Sequence, residues 1–532
     1  MSFSHTNYQR LQPGQEISTT GEILSYAATI YPDKPGLISG DRYWSFAELD
    51  KAANRFANFL HDELTGRDGP VAIMGKNSVE YAVAHFGTAR SGRHSVNLHT
   101  RATPEELTFS INLTRPALIV ADSNCADLIN AARAEFREPP IQIEISEGVP
   151  DADSSFWQSL KDLPDTPPEI KVDPDSAGTV IFTGGTTGKP KAVLASHRAR
   201  AISTMAAVED FQISPDEIGG FSVPFTHAAG LFSWFQPAVL AGCTGVIIPK
   251  WDAELFMSLI EQHGISVIFA VPAQLATLLD NPIFKPQRLR SLKRIVFGGA
   301  PISRALIERI ETVMPWLTCE RAFGSSETGH MGAQNRKNRA DVYDAYNQPG
   351  GRLEIEIFKE PGVPADIGEI GEMATRGPHL MTGYIDDPDA QAGFFKTETT
   401  DGDWGWMGDL AEKHDGYYSI VGRSKHMILS GGLNIYPAEL EEVLNGHPAV
   451  SDCAVIGIED ETWGELPIAA IVSTTSNPDT QAILDHVAEN VARYKRVRQI
   501  ILVETIPRTP AGKIQVHLVQ GLCSAAIENS GS

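Results

Sequence analysis

Short apolar runs recur along this chain, and each ends in a glycine or proline ahead of a helical stretch. Val71 to Met74 stops at Gly75, and residues 179–182 (TVIF) run into a glycine-rich loop. Residues 245–248 (GVII) meet Pro249, 267–271 (VIFAV) meet Pro272, and 294–297 (RIVF) meet Gly298 and Gly299. A run with no polar alternation suits a strand covered on both faces. Between the runs lie amphipathic stretches: in residues 44–60, Ser45 and Glu48 have capping-box spacing, and Leu49, Ala52, Phe56 and Phe59 fall on one helical face. Strand, tight turn and helix, repeated in that order, predict an α/β fold with mainly parallel sheets. Such sheets bind ligands beyond the carboxyl ends of their strands, which makes the turns after these runs the candidate site.

The 532 residues are enough for two to four domains at roughly 100–200 residues each. A Pro- and Asp-rich stretch from about 151 to 178 reads as a surface connection. A second boundary falls near 422–426, and the reading divides the chain into 1–423 and 424–532. The second unit has its own pattern: Pro437 opens a helix with Leu440, Val443 and Leu444 on one face, the strand-like VSDCAVIGI follows, then a helix over 481–494 and the strand IILV. That is enough for a small α+β domain. The apolar run Ile265 to Leu279 contains Pro272 and Gln274 and is short of the ~20 residues of a membrane span, so it reads as a core strand and helix.

Hydrophobic residues are 42% and charged residues 21%, values of a globular protein rather than a disordered or fibrous one. Lys and Arg number 44 against 67 Asp and Glu, a net charge of -23 that repels phosphate backbones and anionic membranes. This argues against nucleic-acid binding and leaves room for a local basic pocket. The five cysteines (Cys125, Cys243, Cys319, Cys453, Cys523) are scattered and form no CxxC, which reads as reduced thiols in a cytoplasmic protein without a zinc site. The polar first residues predict no signal peptide, and the last three, Ser530 to Ser532, are no peroxisomal address.

The richest segment is Thr183, Gly184, Gly185, Thr186, Thr187, Gly188, Lys189, Pro190, Lys191, directly after a strand. Glycines let backbone approach a ligand, and free N–H groups in such loops form anion-binding nests. It is not a Walker A loop, because Pro190 stands where Ser or Thr is needed, and it is not GxGxxG. The loop resembles the [ST]SG[ST]TGxPK motif of the adenylate-forming superfamily (acyl-CoA synthetases, firefly-type luciferases, nonribosomal peptide adenylation domains), with Gly184 in the place of Ser. The resemblance covers essentially the whole chain, since further motifs follow in the family's order, and it is nearest to stand-alone acyl- or aryl-CoA ligases.

The resemblance implies a large N-terminal adenylation domain and a small mobile C-terminal domain, with these roles. His227 and Ala228, in PFTHAAG, line the acyl pocket, together with Gly299, His330 and Met331. Gly299 and Ala300 lie against adenine. Phe323, Gly324, Ser325, Ser326 and Glu327 resemble YGxTE, where the ring stacks on adenine, a hydroxyl meets the AMP phosphate, and Glu327 holds Mg²⁺. Asp409, in WMGD, accepts from the ribose hydroxyls, and Arg423 reaches ribose or phosphate; Met407 replaces the usual Thr. Lys425 is the hinge residue. Gly431 and Gly432 line the pantetheine tunnel. Lys513, in PRTPAGK, is the adenylation lysine, stabilising charge as the carboxylate meets the α-phosphate.

The implied reaction is carboxylate plus ATP to acyl-AMP and pyrophosphate, then thioester formation. CoA is the favoured thiol. Trp463 resembles a residue that stacks on CoA adenine in aryl-CoA ligases, and Tyr494 and Arg496 sit in the basic run RYKRVR, with Arg101 joining from the large domain. Loading of a separate carrier protein, a luciferase-type oxygenase and a non-catalytic nucleotide binder remain as alternatives. No carrier segment follows residue 520. The absence of an Asp near His227 disfavours an α-amino acid, and the expected substrate is an aryl or medium-chain monocarboxylate. A homodimer is left open by the sequence.

Overall fold

The computed structural model describes residues 16–145, 154–183, 190–300, 302–333, 345–347, 353–396, 404–460, 462–508 and 513–530. An eight-stranded sheet runs in the order Gly329–Ala333, Thr318–Ser325, Arg294–Phe297, Val267–Ala270, Ile218–Phe221, Thr244–Ile247, Pro35–Ser39, Arg42–Ser45. Its interior pairs are parallel and only its two edge pairs are antiparallel. A seven-stranded sheet follows the order Gly383–Tyr384, Lys191–Ser196, Ala177–Thr183, Ser95–Asn97, Val71–Met74, Leu118–Asp122, Ile141–Ile145. It too is parallel except at the edge that carries Lys191–Ser196.

The two sheets share one core. Helices Phe46–Glu63 and Val79–Arg90 lie in it, with Phe56 and Phe86 packed in the same cluster as Val71 and Ile73 of one sheet and Val267, Phe269 and Val296 of the other. The capping box at Ser45 and Glu48 is formed: Ser45 Oγ accepts from Glu48 N at 3.1 Å, and Ser45 N donates to Glu48 Oε2 at 2.7 Å. The outer face of the eight-stranded sheet is covered by Ala253–His263, Pro272–Leu279 and Arg304–Val313. That of the seven-stranded sheet is covered by Pro104–Thr114 and Ala126–Ala132. The apolar stretch at 265–279 is therefore a core strand and helix, and no described helix is long and apolar enough to cross a membrane.

Beside these mostly parallel sheets, six described strands between 345 and 423 form an antiparallel sheet. Two of its pairs, Glu354–Glu360 with Val363–Pro364 and Gly405–Lys413 with Tyr417–Arg423, are hairpins whose short turns allow only antiparallel pairing. Two expectations are corrected. The connection at 151–178 contains a helix, Ser155–Leu160, which buries Phe156 and stacks Trp157 on Trp44 at 5.0 Å. The helix expected over 481–494 ends at Asn490, where β-branched Val491 is extended (φ −130, ψ 156).

Beyond residue 427 the strands pair among themselves. Val450–Asp460 and Gly464–Ser473 form an antiparallel pair, with Gln499–Leu502 parallel to the second. Helices Pro437–Asn445 and Thr480–Asn490 cover one face and Val516–Ser530 the other. The five cysteines are buried free thiols.

Candidate active site

Thr183 and Lys191 face each other in register at the end of an antiparallel pair, so the glycine-rich loop springs from a strand end of the seven-stranded sheet. Gly184, Gly185, Thr186, Thr187 and Gly188 lie outside the described residues. Lys191 Nζ stands 5.2 Å from the ring centre of Tyr384, on the strand beside it.

Glu327 sits in the turn between Thr318–Ser325 and Gly329–Ala333. Ser325 and Thr328 bond reciprocally there, each hydroxyl accepting the other's backbone N–H at 3.2 Å. A Cβ on Gly324 would lie 2.1 Å from the Gly329 carbonyl, so the turn closes this tightly only with glycine. Tyr384 Oη donates to Glu327 Oε1 at 2.9 Å, and Met381 N donates to the Glu327 carbonyl at 2.8 Å. Arg200, buried under the turn, donates from Nη2 to the Ser326 carbonyl at 2.8 Å and lies over the Phe232 ring. Burial lowers its pKa to about 10, against the pull of Glu327. Phe323 packs on Tyr346 and Tyr418.

Asp409 and Arg423 pair across adjacent strands, with Arg423 Nε 2.9 Å from Asp409 Oδ1. Burial raises the Asp409 pKa, while Arg423 and Lys513 oppose it. Lys425 follows in the short turn Ser424–His426, which Ser424 ties to Gly408 by a 3.2 Å bond from Oγ to the carbonyl. Lys513 reaches the same place from the far end of the chain. It keeps contact with solvent, yet the surrounding protein and then Arg423 lower its pKa, and Glu327 and Asp409 pull it back up. Lys513, Arg423, Asp409 and Glu327 thus come within electrostatic reach of one another although almost two hundred residues of chain separate the first from the last.

His227 lies at the other end of this constellation. Its ring is 4.5 Å from that of His99, whose Nε2 is 3.4 Å from the Phe182 carbonyl. Desolvation, then His99, Lys513 and Arg101, push the His227 pKa down to about 3, so the imidazole is neutral at ordinary pH. Ala228 begins the helical turn after it, and Gly299 (φ +81) and Ala300 follow the strand Arg294–Phe297. The side chains of His330 and Met331 are both buried. His330 Nε2 is 2.7 Å from Asp210 Oδ2, and Met331 belongs to a core cluster with Tyr346 and Tyr418.

In the C-terminal unit, Gly431 (φ +59) donates its N–H to the Trp463 carbonyl at 2.7 Å, and a Cβ there would meet the Trp463 ring at 2.9 Å. Gly432 also has positive φ (+78). The Trp463 ring is half in solvent, with the Arg498 guanidinium 5.7 Å from its centre. Tyr494 is exposed, whereas Arg496 turns back to donate to the Ala488 carbonyl at 2.9 Å. Tyr384, His99 and Arg200 were missed from sequence, and Arg498 was read only as part of the basic run RYKRVR. The first three touch a site residue only through tertiary contacts, and no spacing marks them.

Residues 24–385 match the family described as AMP-binding enzyme, and residues 439–513 match the AMP-binding enzyme C-terminal domain. The chain is 30% identical to an indoleacetate–CoA ligase of Aromatoleum aromaticum, covering 94% of this chain and 97% of that protein. It is 29% identical to the long-chain-fatty-acid–CoA ligase FadD13 of Mycobacterium tuberculosis, over 95% and 99%. Its fold is that of the anthranilate CoA ligase AuaEII in complex with anthranoyl-AMP, at a TM-score of 0.85 and 23% identity over 96% and 98% of the two chains. With both family regions present in order, the chain belongs to the AMP-binding enzyme family and is an AMP-forming acid–thiol ligase.

Proposed function

We propose that the protein joins an aryl or medium-chain monocarboxylic acid to CoA at the expense of ATP, and that 1–423 and 424–532 are its two working domains, hinged at Lys425. The observation that carries this is the convergence of Lys513, Arg423 and Glu327 around Asp409. A substrate carboxylate oxygen attacks the α-phosphorus, the bond to pyrophosphate breaks, and acyl-AMP forms. Lys513 and Arg423 are cations placed where negative charge accumulates. Asp409 accepts from the ribose hydroxyls. In the second step the CoA sulfur attacks the acyl carbon and AMP departs with its oxygen.

Among the described residues no group of three or more His, Cys, Asp or Glu could hold a metal by itself. A single carboxylate is the arrangement expected for Mg²⁺, which takes one or two protein oxygens and completes its shell with phosphate and water. Glu327 fits that donor set, and a cation there would neutralise charge on the phosphates. Neutral His227, with His99 beside it also shifted down by burial, suits an acid with an uncharged body. Five unpaired buried thiols suit a reducing compartment such as the cytoplasm.

Incubation with Mg·ATP and a panel of aromatic, short, medium and long-chain acids, with and without CoA, followed by mass detection, tests the reading. Thioester from one acid class supports it. Acyl-AMP that accumulates regardless of CoA replaces it with carrier-protein loading.

Tyr384→Phe keeps the ring under Lys191 and removes the hydroxyl that orients Glu327. A hydrogen bond to a charged group contributes about 1.5–3 kcal/mol, so the Mg²⁺ concentration for half-maximal ATP binding is expected to rise roughly ten-fold or more. Titration of ATP affinity against Mg²⁺ measures it, and an unchanged midpoint removes Tyr384 from this role.

A further inference from the structure

We propose that Glu442 is a positioning residue for acyl-AMP formation: it docks the C-terminal domain on the N-terminus of helix Arg304–Val313 and so keeps Lys513 in the cleft. This rests on the reading of Lys513 given above. Helix Pro437–Asn445 turns Leu440 and Leu444 into the core of its own domain. Its adjacent glutamates divide between the two domains. Glu441 Oε1 accepts from Val455 N at 2.9 Å within the C-terminal domain. Glu442 faces the other way, its Oε1 and Oε2 3.0 and 3.4 Å from Arg304 N.

Arg304 is the first residue of its helix, so its N–H is one of the donors that no helical carbonyl can satisfy. Ser303 Oγ accepts from Leu306 N at 3.3 Å, and Glu442 takes the first N–H from outside. A carboxylate also complements the positive end of the helix dipole. Arg321 and Arg304 add cations nearby and lower the Glu442 pKa, while burial between the domains, the largest influence, raises it. The contact and the approach of Lys513 to Arg423 and Asp409 occur together in this structure. A thioester step that requires the small domain to turn must break it.

The test separates the half-reactions: acid-dependent exchange of pyrophosphate into ATP reports adenylation, and thioester formation from chemically prepared acyl-AMP and CoA reports the second step. The probe acid is the one the panel identifies. Glu442→Ala is expected to slow exchange about ten-fold, the size of a lost charged hydrogen bond, and to leave the second step unchanged or faster. Glu442→Gln keeps an acceptor oxygen and is expected to recover part of the loss.

Arg304→Pro attacks the same contact from the other side, removing the N–H at a helix position that proline favours. Arg304→Ala, which keeps the N–H, serves as its control and is expected to retain the wild-type ratio of half-reactions. Amide hydrogen exchange supplies a readout independent of activity: the Arg304 N–H is expected to lose protection in Glu442→Ala. If both half-reactions fall together, or neither changes, or the amide keeps its protection, the inference is overturned. A wild-type protein that forms no acyl-AMP while Glu442→Ala exposes the amide indicts the adenylation reading instead.

Discussion

Replacing Lys513 with methionine lowers acyl-AMP formation by about 10²–10³-fold, the loss seen when one preorganised charge-stabilising donor is removed. Methionine preserves length and apolar stem and deletes the ammonium. The effect is confined to the first half-reaction: thioester formation from supplied acyl-AMP is expected to proceed at the wild-type rate, because the lysine has no part in it. The pH dependence carries the same signature. Partial desolvation by the surrounding protein and then the neighbouring Arg423 cation lower the Lys513 pKa from its ordinary 10.5, although the residue keeps contact with solvent. The charged form is the active one, so adenylation falls as pH rises, along a limb placed below 10.5 that the thioester step does not share. An equal loss in both half-reactions would sink the assignment of Lys513 to adenylation.

Trp234→Ala destabilises the N-terminal domain by about 3–5 kcal/mol, the range for truncating a large buried aromatic. The ring is almost wholly buried, packed near Phe211 and Phe269 at 6.4 and 6.3 Å, and its Nε1 donates to the Gly220 carbonyl at 3.0 Å. Truncation leaves a cavity and an acceptor without its donor. Trp234 follows His227 in the same helical stretch, so the segment after His227 loosens with it. The denaturant midpoint of the domain measures the effect, and Trp234→Phe, which keeps most of the volume, is expected to lose considerably less. A midpoint for Trp234→Ala within error of wild type would contradict the packing described here.

Element types were legible wherever the local signal was strong. Val71–Met74 and Arg294–Phe297 are strands with the bounds their apolar runs suggested, and the capping box at Ser45 marks the true start of its helix. The antiparallel sheet at 345–423 was not legible. Its strands alternate weakly, and strand direction depends on how connections close in space, not on the composition of a run. Helix Thr480–Asn490 was overextended for a related reason: helical periodicity continued past a residue whose backbone the fold holds extended.

The site divides along the same line. Sequence by itself determined which residue types suit a nucleotide phosphate, and in what order, because glycine-rich turns, an acidic residue after a turn and a turn lysine are features written locally. Tertiary structure alone decided which of them meet. It brings Lys513 to Asp409 and Arg423, sets His99 against His227, ties Glu327 to Tyr384, and buries His330 and Met331. The physical reason is range. Turn geometry and capping are settled within a few residues, whereas desolvation, charge pairing and the docking of Glu442 on a distant helix are settled by distances that exist only once the sheets have packed.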